Sequence, residues 1–133
     1  MSTTAQDFYT LFCNHKFRKI SEIIQEGFSG MYYVLKLLAD AKKELTAGDI
    51  SESFGVTTAR TAVILNTLEK KEYIEKSKSK NDGRQTIVKI TRKGISVLKE
   101  RKKKLFETIN TYLSKLKPTE IDDLYGIIKT LLS

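Results

Sequence analysis

Apolar positions recur at helical spacing along most of the chain, and the pattern switches to alternation only once. Residues 5 to 26 carry Phe8, Leu11, Phe12, Ile20, Ile23 and Ile24 on one broad apolar surface, which predicts a single long helix. Gly27-Phe28-Ser29-Gly30 breaks it, and Ser29 is placed to cap a second helix with Met31, Val34, Leu35 and Leu38. Thr46-x-x-Asp49 has the form of a capping box and opens a short helix with Ile50 inward. A tight turn at Gly55-Val56 follows, and Thr57 caps a helix from Thr58 to about Lys71. Alternation then takes over in Tyr73 to Lys78 and Gln85 to Thr91, two strands joined around Asn81-Asp82-Gly83, where Asp-Gly is a hairpin signal. Thr91 caps a long helix to about Leu116, and Pro118 starts a last one with Ile121, Leu124, Ile128 and Leu131.

Short helix, Gly-containing turn, helix and hairpin in that order read as a helix-turn-helix with a β-wing. The expected fold is mainly α with a small β-wing: a winged helix-turn-helix flanked by N- and C-terminal helices. One domain spans 1–133, with 5–30 and 105–133 as the flanking helices and 31–104 as the winged region. On a helical wheel Thr61, Ile64, Leu65 and Leu68 share the side that packs inward, and Ala59, Ala62, Val63, Asn66 and Lys70 lie opposite. The free side of such a helix enters the major groove, N-terminal end foremost. Thr58, Ala59, Ala62, Val63 and Asn66 are therefore base-edge candidates: Ala and Val suit a thymine methyl, and Asn can pair adenine. Thr57 and Thr58 stand at the helix N-terminus, where backbone N–H groups attract phosphate. Arg60 on the flank reaches phosphate or a guanine.

Charge adds a partner. Of the 24 Lys and Arg in 133 residues, twelve lie between Lys76 and Lys104, opposed there by Asp82 and Glu100 alone. The chain carries +8, so this concentration leaves the remainder slightly acidic. A localised positive field suits a polyanion, although a solvated lysine-rich face has the same composition. The wing residues Lys78, Lys80 and Arg84 suit the minor groove, whose negative potential draws cations. Asp82 has two roles open to it: holding the Arg84 guanidinium in a bidentate pair, or shaping the turn.

The stretch ELTAGDISESFGVTTARTAVILNTLEKKEYIEKSKSKNDGRQTIVKITRKG resembles the winged helix of MarR-type transcription regulators. The likeness rests on Leu45-Thr46, Gly55-Val56, the Leu68-Glu69-Lys70-Lys71 helix end, Tyr73-Ile74-Glu75, Asp82-x-Arg84 and Ile90-Thr91-x-Lys93-Gly94. Glu72 departs from it, standing where the family usually has Gly after the paired basic residues. The resemblance implies a homodimer on a pseudo-palindromic double-stranded DNA operator, with 5–30 and 105–133 as dimerisation helices, and the apolar stripes of those helices agree with it. It also implies repression relieved by a small phenolic or apolar effector, or by an oxidant. A winged-helix module for DNA architecture or protein interaction, without effector sensing, is the alternative. No nucleophile–base pair, phosphate loop or metal-ligand spacing points to an enzyme, and no cofactor is expected.

Sensing candidates are few. Cys13 lies about where peroxide-sensing relatives keep a reactive cysteine, but Cys is also a common core residue, and the core is the expectation. Phe12, Phe28, Tyr32 and Tyr33 could line an effector pocket or simply fill a core or interface. His15, the single histidine, has no acidic cluster beside it for a metal. Mean hydropathy is −0.33 and no apolar run approaches the ~18 residues of a membrane span, so no membrane partner is expected. The first twelve residues lack the basic-then-apolar form of a signal peptide, which makes the cytoplasm the default location.

Overall fold

The computed structural model describes residues 2–27 and 29–133. Among them are seven helices and one three-stranded sheet: α1 (Ala5–Phe12), α2 (His15–Gly27), α3 (Gly30–Asp40), β1 (Leu45–Thr46), α4 (Ala47–Phe54), α5 (Thr58–Lys70), β2 (Ile74–Lys78), β3 (Thr86–Ile90), α6 (Arg92–Leu113) and α7 (Pro118–Leu132). The sheet is antiparallel in the order β1-β3-β2, with Leu45 opposite Val88 and Ile74 opposite Ile90. The core lies between this sheet and α3, α4 and α5. Val34, Leu35, Leu38, Ile50, Leu65, Leu68, Ile74 and Val88 are buried there, with Val97 and Leu98 of α6 packed against them.

Several elements follow directly from side-chain chemistry at their ends. Thr46 and Asp49 form both halves of the capping box: Asp49 N–H donates to Thr46 Oγ1 at 3.1 Å, and Thr46 N–H to Asp49 Oδ2 at 3.0 Å. The Thr46 backbone N–H, with its hydroxyl, holds the Asp49 carboxyl below its ordinary range. Gly55 ends α4 in the left-handed region at φ 66°, which opens the turn into α5. Thr57 Oγ1 accepts the Arg60 N–H at 3.2 Å and caps α5.

The expected helix over residues 5 to 26 is two helices. Asn14 causes the break: its Oδ1 accepts the Lys16 N–H at 2.8 Å and its carbonyl accepts the Arg18 N–H, so a second N-terminus starts inside the apolar pattern. Strand β1 was not foreseen. Two residues give no periodicity, and Leu45–Thr46 is a strand only because β3 lies beside it.

Glu72 occupies the position where the MarR-type pattern has Gly, and the helix end is the one a Gly would make. Glu72 takes φ 64°, Tyr73 N–H donates to the Leu68 carbonyl at 3.0 Å, and Glu72 N–H to Glu69 at 2.9 Å. This is the Schellman arrangement, with a side chain in the left-handed slot. Such a residue carries strain that Gly relieves. Glu72→Gly is therefore expected to stabilise the fold by about 0.5–1 kcal/mol, net of the added chain entropy. The loss of the exposed Glu72–Lys93 ion pair (3.3 Å) is a minor offset. Urea denaturation checks it, and a lowered midpoint would contradict the strain.

Candidate nucleic-acid interface

The two sides of α5 separate as the wheel requires. Thr61, Leu65 and Leu68 are buried, while Thr58, Ala59, Arg60, Ala62, Val63 and Asn66 are exposed, Val63 by 66%. Thr57 is exposed at the cap. The N–H groups of Thr58 and Ala59 precede the first helical bond and point outward from the helix end. A surface of small and β-branched residues, with one amide and one guanidinium at its edges, can lie close against base edges because nothing bulky holds it away.

The wing stands beside this surface. Lys78, Lys80, Asp82 and Arg84 are all exposed. The tip is not a two-residue Asp-Gly turn, since Gly83 does not adopt a left-handed φ. It is a wider loop closed by Ser79 N–H to the Gln85 carbonyl at 3.0 Å and Gln85 N–H to the Asp82 carbonyl at 3.0 Å. The Ser79 hydroxyl accepts the Asn81 and Asp82 N–H groups at 3.3 Å each. Asp82 Oδ1 accepts the Arg84 backbone N–H at 3.0 Å. Among the described residues no ion pair within 4 Å joins Asp82 to the Arg84 guanidinium, so of the two roles open to Asp82 the geometry supports the turn. Ser79 was missed because a Ser between lysines in a strand pattern gives no sign of its hydroxyl's direction.

This distinction has a clean test. Asp82→Asn keeps an oxygen for the Arg84 N–H and removes the charge. With a turn role, DNA affinity should hold or tighten; with a guanidinium-orienting role, it should fall. Arg84→Ala should cost about 1–3 kcal/mol of binding in either case. Titration of a labelled duplex with each variant reads both.

The basic segment is less concentrated in space than in sequence. Lys76 pairs with Glu69 (3.3 Å), Lys89 with Glu44 (3.1 Å), Lys93 with Glu72 (3.3 Å) and Arg101 with Glu26 (3.3 Å). Each acid lies outside residues 76–104, so the acids of the remainder fold back onto the cations. Lys78, Lys80 and Arg84 keep their charge unpaired at the wing tip among the described residues, as do Arg92, Lys99, Lys102, Lys103 and Lys104 along α6, so the tip is the part of the accessible field that stands beside α5.

The sensing candidates fall into separate neighbourhoods. Phe12 belongs to a cluster with Phe8 (ring centroids 5.9 Å apart) and Phe17 (4.8 Å). Tyr33 stacks on Phe54 at 4.8 Å and donates its hydroxyl to the Ser53 carbonyl at 3.1 Å. Tyr32 lies under the Arg101 guanidinium, 4.7 Å from ring centroid. Phe28 lies outside the described residues. Cys13, expected in the core, is instead exposed at the α1–α2 break. The expectation rested on how often Cys is buried, and the Asn14 cap ends α1 beside it, which leaves it at an exposed joint. A cleft of about 180 Å³ does exist, between α2 and α6, lined by Ile23, Glu26, Gly27, Arg101, Lys104, Leu105 and Thr108. Burial works against the Arg101 charge there, but Tyr32 and Glu26 beside it outweigh that and push its pKa up.

The comparisons with known proteins agree with this geometry. Residues 32–109 match the family of the winged helix DNA-binding domain. No curated protein matches the sequence significantly. Among solved structures, the fold is similar to that of the YusO protein from Bacillus subtilis (21% identity, 98% of each chain, TM-score 0.81). It is similar to MepR, a transcription regulator of the Staphylococcus aureus multidrug efflux pump MepA (19% identity, 98% of this chain and 97% of that one, TM-score 0.74). It also resembles the PcaV transcriptional regulator from Streptomyces coelicolor (18% identity, 90% of this chain and 96% of that one, TM-score 0.68). A mutant MepR of the same fold has been seen bound to an oligodeoxyribonucleotide, and PcaV in complex with its natural ligand. The fold is thus the one the MarR-type resemblance implied, and with more than half its length matched the chain belongs to the winged helix DNA-binding domain family.

Proposed function

We propose that the protein is a homodimeric, sequence-specific DNA-binding regulator of transcription, acting as a repressor that a small apolar or phenolic molecule, or an oxidant, releases. The observation that carries the reading is the outward face of α5, small and apolar at Ala59, Ala62 and Val63, set beside a wing tip whose cations are unpaired. A cytoplasmic protein of 133 residues would bind a pseudo-palindrome through two copies of this surface, with 5–30 and 105–133 joining the copies and 31–104 meeting DNA. Helices α1 and α7 support this, because neither has a buried residue although both are rich in Phe, Leu and Ile. The cleft beside Tyr32 and Arg101 is where an effector would act on both halves, since α2 and α6 connect the two parts.

A competition experiment tests the reading. Binding to a duplex from the region upstream of its own coding sequence should resist unrelated duplex by a factor of ~10³ or more. Log affinity should also fall linearly with log salt, at ~0.9 per phosphate neutralised. A specificity ratio near unity would leave the architectural alternative instead.

A further inference from the structure

We infer that Lys76 is a positioning residue for base reading: it turns the Asn66 amide so that α5 offers the major groove a hydrogen-bond donor at that position. The inference rests on the proposed function, in which α5 is the recognition helix.

Alternate residues of a strand share a face, so Lys76 follows Ile74 on the side of β2 that meets the core. Ile74 is buried, and the Lys76 stem continues over the C-terminal half of α5 with only 23% of its side chain exposed. Its Nζ donates to Asn66 Oδ1 at 2.7 Å and lies 3.3 Å from Glu69 Oε1. Asn66 and Glu69 are three residues apart and therefore neighbours on one helix face. A single ammonium thus ties the wing strand to two side chains of α5.

The chemistry of the three groups fixes the amide. An ammonium has three donors and no acceptor, so the amide atom facing it must be the oxygen. The opposite orientation would set N–H against N–H. Glu69 also holds the ammonium, at 3.3 Å, so Lys76 is not free to follow the amide if Asn66 rotates. Turning the oxygen outward would break a charge-assisted hydrogen bond. The ammonium takes one Oδ1 lone pair and draws the carbonyl toward β2, so the edge offered chiefly to DNA is Nδ2–H₂. Adenine recognition by Asn needs an acceptor for N6–H₂ as well as a donor for N7, whereas guanine offers two acceptors and thymine one. The adenine pairing expected from sequence is therefore weakened, and guanine or thymine is favoured under Asn66.

Selection from a random-sequence duplex pool with the full chain tests this. Asn66→Ala should erase the preference at one half-site position. There the wild type should favour guanine or thymine over adenine by roughly tenfold, the size of a base contact. Lys76→Met, which keeps the stem and removes the donor, should move that position toward adenine. Lys76→Arg, still donor-only, should keep the wild-type preference. Glu69→Gln loosens the ammonium without touching the strand and should shift the position partway. Should Lys76→Met leave the position unchanged, should the wild type prefer adenine there, or should Asn66→Ala alter no position, the inference is overturned alone. A wild type that selects no sequence overturns the sequence-specific reading itself, and this inference with it.

Discussion

Gly94→Ala should destabilise the protein by about 2–3 kcal/mol, a fall in Tm on the order of 10 °C, although alanine is the better helix former. Gly94 is buried in the first turn of α6. A Cβ there would collide with the Tyr73 carbonyl oxygen and lie 2.8 Å from Ile90 Cγ1. The first is backbone and cannot rotate away. It is also engaged, since the Tyr73 carbonyl accepts the Thr91 N–H at 3.0 Å. Thr91 completes the joint by donating its hydroxyl to the Glu72 carbonyl at 2.7 Å and accepting the Gly94 N–H at 3.0 Å. The end of α5, the approach to β2 and the start of α6 therefore meet at one point with no room for a methyl group. Gly83→Ala is the control: nothing lies within 4 Å of its Cβ position, and its melting should change little. A Gly94→Ala protein as stable as the wild type would refute this account of the joint.

The second large effect is expected from Ile128→Asp, which should convert a dimer to folded monomers and lower DNA affinity by on the order of a hundredfold or more. Ile128 lies in α7 with 46% exposure, beside Leu124, Ile127 and Leu131, all exposed. In a monomer the substitution would touch no core and cost the fold almost nothing. In a two-fold interface each substitution counts twice. The lost burial of two Ile side chains is then worth about 3–6 kcal/mol of association, before any cost of burying carboxylates. Sedimentation should show the change in mass while the circular dichroism spectrum stays helical. A wild type that already sediments as a monomer at micromolar concentration would remove the basis of the dimeric reading.

What the sequence made legible was whatever a few neighbouring residues decide among themselves. The Thr46–Asp49 box, the Gly55 turn, the Thr57 and Thr91 caps and the Pro118 start are such cases, as is the division of α5 into an inner and an outer side. Each is an interaction within one helical turn. The misses share the opposite property. Leu45–Thr46 becomes a strand through Val88 and Ile87, more than forty residues on. Lys76 looked like one more cation in a basic run, and only the packing of β2 on α5 shows it spent on Asn66 and Glu69. Glu26 and Arg101 meet across two helices. The Asn14 break was local, but a continuous apolar face concealed it: an N-cap inside a periodic stretch has no Gly or Pro beside it to announce it.

The wing tip and the Gly94 joint differ in how freely their sequences can change. Residues 79–85 are held by the Ser79 hydroxyl, the Asp82 carboxylate and two bonds of their own backbone. An insertion or a new set of side chains there would disturb no packing beneath it. At the other end of the same strands, Gly94, Tyr73 and Thr91 are so closely fitted that one added carbon reaches three elements at once. On the proposed reading, a lineage of such proteins can thus alter its minor-groove contact by rewriting the tip, a few residues at a time, while the joint stays as it is.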